Sequence, residues 1–308
     1  TINAMVQYCY NTGSVSGNTW VGGVAGEISI GNECSAIAAT LQYCYNIGGV
    51  KASNQLAGGV IGRLNVQTGA ALVQYCYNAG NVNGGSGSNY IGGVVGSSTI
   101  NSNGSATVQH CYNAGNINVG SSLIYVGSVA GADSGTLTGC FYDKQMCTVG
   151  GTNGADETGK AEGKLTSELV AANLSNSLGT ESNWTFAAGL YPRLAGMENT
   201  DAAYVSATPV FLSNGENASA VTANFTVGTD NYVTWTSDNA GAINISDGSA
   251  TVTRQKNNTD VILTADKNDI SRTVNVTVSA LPSQDKPSAS IDYINEQLTG
   301  LVAGAGHK

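Results

Sequence analysis

Apolar residues over the first 140 positions come in short runs broken by Gly, Asn and Ser, with no 3.6-residue stripe. That pattern predicts brief strands joined by tight turns and argues against amphipathic helices. Two runs recur together. The first is Cys-Tyr-Asn-x-Gly-x-Val, at 9–15, 44–50, 76–82 and, closed by Ile, 111–117; a fifth copy starts at Cys140-Phe141-Tyr142 and decays. The second is close to Val-Gly-Gly-Val-x-Gly, at 21–26, 57–62, 91–96 and 126–131, where Ser128 replaces the second Gly. Cysteine-to-cysteine steps are 35, 32, 35 and 29 residues, the spacing of a repeat array.

A unit this short cannot bury its apolar face alone, so successive copies must stack. In-register stacking brings like onto like about 4.8 Å apart. It predicts a ladder of Asn11, Asn46, Asn78 and Asn113 bonded through their amides, and a buried column of reduced thiols from Cys9, Cys44, Cys76, Cys111 and Cys140. Val6, Leu41, Val73, Val108 and Leu137, three before each Cys, read as core, as do Val15, Val50, Val82 and Ile117, six after it. The Gly of Asn-x-Gly is expected to supply a turn with φ > 0. The residue before each Cys is Tyr8, Tyr43, Tyr75, His110 and then Gly139, a tolerance that predicts an exposed or partly exposed flank and a candidate ligand surface. Tyr10, Tyr45, Tyr77 and Tyr112 suit either core or surface. Loops are expected at 31–39, 83–89 and 97–105.

Beyond the repeats, 141–197 reads as a C-terminal cap on the array. A helix is expected over 166–174, capped by Thr166 or Ser167, and Trp184, Phe186, Tyr191 and Leu194 suit closing an open sheet end. Trp184 and Tyr191 are also candidate stacking platforms for a sugar. From about 202 to 281 alternating Thr/Val/Asn runs at 220–225, 232–237, 261–265 and 273–278 predict an antiparallel sandwich, with Trp235 in a core that lacks a disulfide. Pro282 and Pro287 mark a linker, and 290–301 reads as the opening of a further β-module. The expected domains are thus 1–197, 198–281 and 282–308.

The paired repeat motifs resemble the GLUG-motif repeats of bacterial surface proteins, over about 1–195. The Val-Thr-Trp-Thr-Ser, Gly-x-Ala-x-Val and Val-x-Leu-Thr-Ala series resembles bacterial Ig-like domains. The resemblance implies an all-β chain, a parallel β-solenoid of about 33-residue repeats followed by an Ig-like β-sandwich, in an adhesin-like protein at the bacterial surface or secreted from it. It implies a glycan or extracellular protein ligand bound through the solenoid, or else a rod that presents another domain. It carries no catalytic residue across.

Composition narrows the chemistry. Glycine is 41 of 308 residues, and the net charge is −9. With no Lys/Arg cluster, nucleic acid is not an expected partner. No apolar run spans a bilayer, no signal peptide opens the chain, and the start within a repeat suggests a piece of something longer. Seven cysteines leave an odd thiol; Cys34 and Cys147 lie off the column and could be exposed. Residues 1–132 hold only Glu27, Glu33, Lys51 and Arg63 as charged side chains, and the two histidines are His110 and His307. Glu27 and Glu33 form the nearest thing to a carboxylate pair, and Asp133, Asp143, Asp156 and Glu157 follow no calcium pattern. The expectation is a non-enzymatic monomer with no metal or cofactor, and a polysaccharide-degrading β-helix is the less favoured alternative.

Overall fold

The computed structural model describes residues 2–32, 37–85, 89–119, 125–132, 135–170, 174, 177–180, 182–228, 232–282, 293–296 and 298–299. The repeats form a parallel β-solenoid of about three turns. Each turn visits three sheets. An 11-stranded sheet holds the long strands Ile37–Asn46, Ile61–Asn78 and Val95–Gln109, and two four-stranded sheets are built from Val15–Gly17, Val50–Ala52, Val82–Gly84 and Ile117–Asn118, and from Val21–Gly22, Leu56–Gly58, Tyr90–Gly92 and Tyr125–Gly127. The register matches the motif: Gln42 pairs with Gln74, Cys44 with Cys76, Tyr45 with Tyr77 and Asn46 with Asn78. Leu41, Val73, Val108, Leu137, Val50 and Val82 are buried, as their positions predict, whereas Val6 on the first repeat is exposed.

Several expectations change. Residues 97–105 do not form a loop. They continue the strand Val95–Gln109, which follows Ile61–Asn78 except for an irregularity between Ile100 and Asn103. The left-handed residue of each turn is not the Gly of Asn-x-Gly but the one before Cys: φ is 54° at Tyr8, 51° at Tyr43, 50° at Tyr75, 51° at His110 and 58° at Gly139. Gly139 explains itself at such a corner, where L side chains are disfavoured. The Asn-x-Gly glycines serve close approach instead, since a Cβ on Gly80 would lie 2.1 Å from the Gly48 carbonyl oxygen.

After the strand Cys140–Asp143 comes one more parallel strand, Ala161–Lys164, and then the helix Thr166–Leu169; residues 171–173 of the expected helix lie outside the described residues. Leu165, not Thr166 or Ser167, stands at its N-cap, and the Glu168 carboxylate accepts the Leu165 N–H at 2.7 Å. Trp184–Thr185 pairs with Arg193–Leu194, and the helix Asp201–Ala207 leads to two antiparallel sheets, one of four strands and one of three. Ser246-Asp247-Gly248 turns between the strands Ile243–Ser246 and Ser249–Val252, with φ of 49° and 76° at Asp247 and Gly248. Trp235 is buried there and donates to the Gly228 carbonyl at 3.2 Å. Within 290–301, read as the opening of a further β-module, residues 293–296 are helical.

Trp184 packs against the Tyr77 and Tyr112 rings and Tyr191 against Tyr112, while Leu194 is buried and Phe186 partly buried. All four belong to or pack against one continuous apolar cluster that joins Tyr45, Tyr77 and Tyr112 to Leu169, Val205 and the core of both antiparallel sheets.

Candidate functional site

Four side-chain columns run along the solenoid. The asparagines form the expected ladder. Asn11 Nδ2 donates to Asn46 Oδ1, Asn46 to Asn78 and Asn78 to Asn113, each at 2.8 Å. Each amide also donates to the carbonyl of the Gly two residues on. That local turn fixes which end of the amide is nitrogen. The column ends at Asn113, whose stacking partner is Tyr142. Ser128 departs from Gly at this end of the array. A Cβ on Gly93 would strike the Asn113 side chain, but beside Ser128 no further Asn is stacked. Its hydroxyl contacts Cys147 Sγ at 2.9 Å and the Val149 carbonyl.

The second column is the thiols. Cys44, Cys76, Cys111 and Cys140 are buried and free, and only Cys9, on the first repeat, is exposed. Burial pushes the Cys76, Cys111 and Cys140 thiols well above the ordinary value. Cys147 is buried and free, not exposed. Cys34 lies outside the described residues.

A third column is one the motif reading missed. Gln42 Nε2 donates to Gln7 Oε1 at 3.0 Å, Gln74 to Gln42 at 2.7 Å and Gln109 to Gln74 at 2.8 Å. Its signal is present in the sequence as a Gln two residues before each of the first four motif cysteines.

The fourth column is the expected ligand flank. Tyr8, Tyr43, Tyr75 and His110 stack ring on ring at 5.1, 5.3 and 5.5 Å. Only Tyr8 is widely exposed, at 50%. The chain's own Ser177, Gly179 and Asn183 lie along the rest: the Tyr43 hydroxyl donates to Asn183 Oδ1 at 2.8 Å, a Cβ on Gly179 would meet the Tyr75 ring at 3.1 Å, and His110 Nδ1 is 3.3 Å from the Ser177 carbonyl.

Trp184 and Tyr191, the candidate sugar platforms, are buried. Trp184 packs at 5.6 Å from the Tyr112 ring and donates to the Leu178 carbonyl at 3.0 Å. The Tyr191 hydroxyl donates to Asp143 Oδ2 at 2.6 Å. Neither ring has a face left for a ligand, because long-range packing on the solenoid's tyrosine side claims both. Tyr45, Tyr77 and Tyr112 are core too, with hydroxyls on Thr200, Ser206 and Pro192.

The carboxylates do not assemble. Glu27 pairs with Arg63 at 3.4 Å, and Glu33 and Asp133 lie outside the described residues. Asp143 is wholly buried, accepting from Tyr191, from Thr166 and from the backbone of Gln145 and Met146. Desolvation raises its pKa above the usual carboxylate range. Asp156 accepts from Tyr142 and Gly151, and Glu157 pairs with Lys160. Among the described residues no three His, Cys, Asp or Glu side chains are placed to hold a metal, and no helix is long and apolar enough to cross a membrane. A groove of about 430 Å³ lies where 188–190 meets Phe211, Thr226 and Asp247; Asp247 is the only titratable side chain lining it among the described residues. Comparison with family models, with curated proteins and with solved structures finds no match.

Proposed function

We propose that the chain is a non-catalytic rod of an adhesin-like protein at the bacterial surface, a solenoid of GLUG type joined to an Ig-like module. The observation that carries this reading is the fate of the aromatic residues. Tyr45, Tyr77, Tyr112, Trp184 and Tyr191 are spent on joining the solenoid to the antiparallel sheets, and the outer column is contacted by Ser177, Gly179 and Asn183. Such use of aromatics stiffens a junction, which suits a rod that holds another domain at a fixed distance and angle. Surface localisation rests on the motif resemblance.

A second reading keeps recognition on the solenoid, favoured by the exposed Tyr8 ring stacked on Tyr43 and by the partly exposed pair Tyr90 and Tyr125, stacked at 4.8 Å. The two readings separate in a screen of the chain against glycans and extracellular matrix proteins, with Tyr8→Ala and Tyr90→Ala as controls. The rod reading expects no saturable binding. Saturable binding that either substitution weakens at least ten-fold overturns it in favour of recognition.

A further inference from the structure

Four Asn-Gly pairs stand in the chain, at 83–84, 103–104, 153–154 and 214–215. With no side chain on the second residue, its main-chain nitrogen can reach the side-chain carbonyl carbon of the first and close a succinimide ring. Closure needs an unengaged glycine N–H and an Asn side chain able to turn, so it follows local opening of the backbone. The structure treats the four pairs differently.

Asn83 and Asn103 are held in parallel strands, Asn83 opposite Asn118 and Asn103 opposite Thr68. The Asn83 amide is also engaged, donating to the Val50 carbonyl at 3.4 Å and accepting from Asn118 at 3.0 Å. Asn153 and Gly154, at φ of 47° and 77°, form a hairpin tip that Thr152 and Ala155 close with two hydrogen bonds, at 2.8 and 2.9 Å. Asn214 and Gly215 are exposed at the tip of a turn closed by one bond, from the Glu216 N–H to the Ser213 carbonyl at 3.0 Å. Gly215 has φ of 88° and open space where a Cβ would stand. Among the described residues neither the Asn214 amide nor the Gly215 N–H has a hydrogen-bond partner.

The chain on either side of this tip is tied down. Gln145, buried just after the strand Cys140–Asp143, places Nε2 at 3.2 Å from each of the Leu212, Ser213 and Glu216 carbonyl oxygens. Its Oε1 accepts the Thr166 N–H at 3.2 Å, and its main-chain carbonyl accepts the Ala218 N–H at 2.7 Å. The Glu216 carboxylate in turn accepts from the Thr222 and Ala223 N–H groups. One side chain from the solenoid thus clasps the loop between Val210–Phe211 and Phe225–Val227 of the first antiparallel sheet.

We propose that Asn214 is a site of spontaneous deamidation and that its isoaspartyl product releases the Gln145 clasp. The Gly215 nitrogen gives up its proton and bonds to Asn214 Cγ; the Cγ–Nδ2 bond breaks, and the amide nitrogen leaves as ammonia. Water then opens the succinimide at either carbonyl. Opening at Cγ leaves an ordinary aspartate. Opening at the main-chain carbon leaves an isoaspartate, whose backbone runs through Cβ and Cγ and is one carbon longer. That carbon falls between the clasped carbonyls of Ser213 and Glu216 and displaces them from Gln145 Nε2.

The test incubates the whole chain at mildly alkaline pH and follows each Asn-Gly pair by peptide mapping that separates aspartyl from isoaspartyl forms. Conversion at Asn214 is expected at least ten-fold faster than at Asn83 or Asn103, and several-fold faster than at Asn153. In the isoaspartyl fraction, hydrogen exchange at the Thr166 and Ala218 amides is expected to rise at least ten-fold, with no such rise in the aspartyl fraction. Asn214→Gln, at an exposed position and with a longer side chain that closes a ring far more slowly, is expected to keep the circular dichroism spectrum and to abolish both the product and the rise in exchange. Faster conversion at Asn83, Asn103 or Asn153 overturns the assignment of the site, as does an Asn214 that converts only after denaturation. Unchanged exchange in the isoaspartyl fraction, or an equal rise in the Asn214→Gln protein, overturns the release of the clasp.

Discussion

At the residue scale, the glycines of Asn-x-Gly separate two physical roles that a sequence cannot tell apart. A Cβ on Gly80 would overlap the Gly48 backbone, with nothing flexible to yield, whereas a Cβ on Gly13 meets only Asn11 Oδ1 at 3.8 Å. Gly80→Ala is therefore expected to cost at least about 3 kcal/mol and Gly13→Ala less than about 0.5 kcal/mol, both read by urea denaturation. A φ > 0 role at Gly13 would instead make the two substitutions comparable. Buried acids give a second residue-level expectation. The folded-state pKa values of Cys76, Cys111, Tyr77 and Tyr112 are raised by desolvation. The native state then holds these protons after the unfolded chain has released them, so stability is full below the ordinary thiol value of 9.0 and falls as pH rises beyond it. Denaturation midpoints measured from pH 7 upward should be flat, then decline.

At the element scale, the Asn column couples the turns. Asn78 is the partner of both Asn46 and Asn113, and all three are buried. Asn78→Ala strands two polar partners, at a cost of about 3 kcal/mol; Asn11→Ala, at a part-exposed position, strands one, Asn46 Oδ1, and should cost about 1 kcal/mol. Equal losses in thermal denaturation would argue against a cooperative ladder. The Asn and Cys columns are legible in the sequence because stacking sets each copy on its like, so a repeated letter becomes a repeated contact. The Gln column is legible on the same grounds, although the motif reading passes it by. The left-handed corner is harder to see, since Tyr ordinarily avoids it and only Gly139 signals it plainly. The burial of Trp184 and Tyr191 is not legible at all. Nothing local distinguishes an aromatic that packs on a distant tyrosine row from one that faces water.

At the scale of the whole molecule, the shared apolar cluster makes solenoid and antiparallel sheets depend on each other. Trp184 sits where they meet, against Tyr77 and Tyr112. Trp184→Ala is expected to cost about 4 kcal/mol and to lower one common melting transition, followed by calorimetry and by far-ultraviolet circular dichroism. Two separate transitions in the parent protein would show the modules to be independent.

The columns also bear on how long such a stack can grow. Asn amides point their N–H groups toward the C-terminal turns, whereas Gln amides point theirs toward the N-terminal ones. An α-helix sums its aligned peptides into a macrodipole. Here the two columns carry opposed dipoles, and the sheet backbone adds little of its own. Adding a turn therefore builds up little axial field from these two columns, however many repeats are stacked.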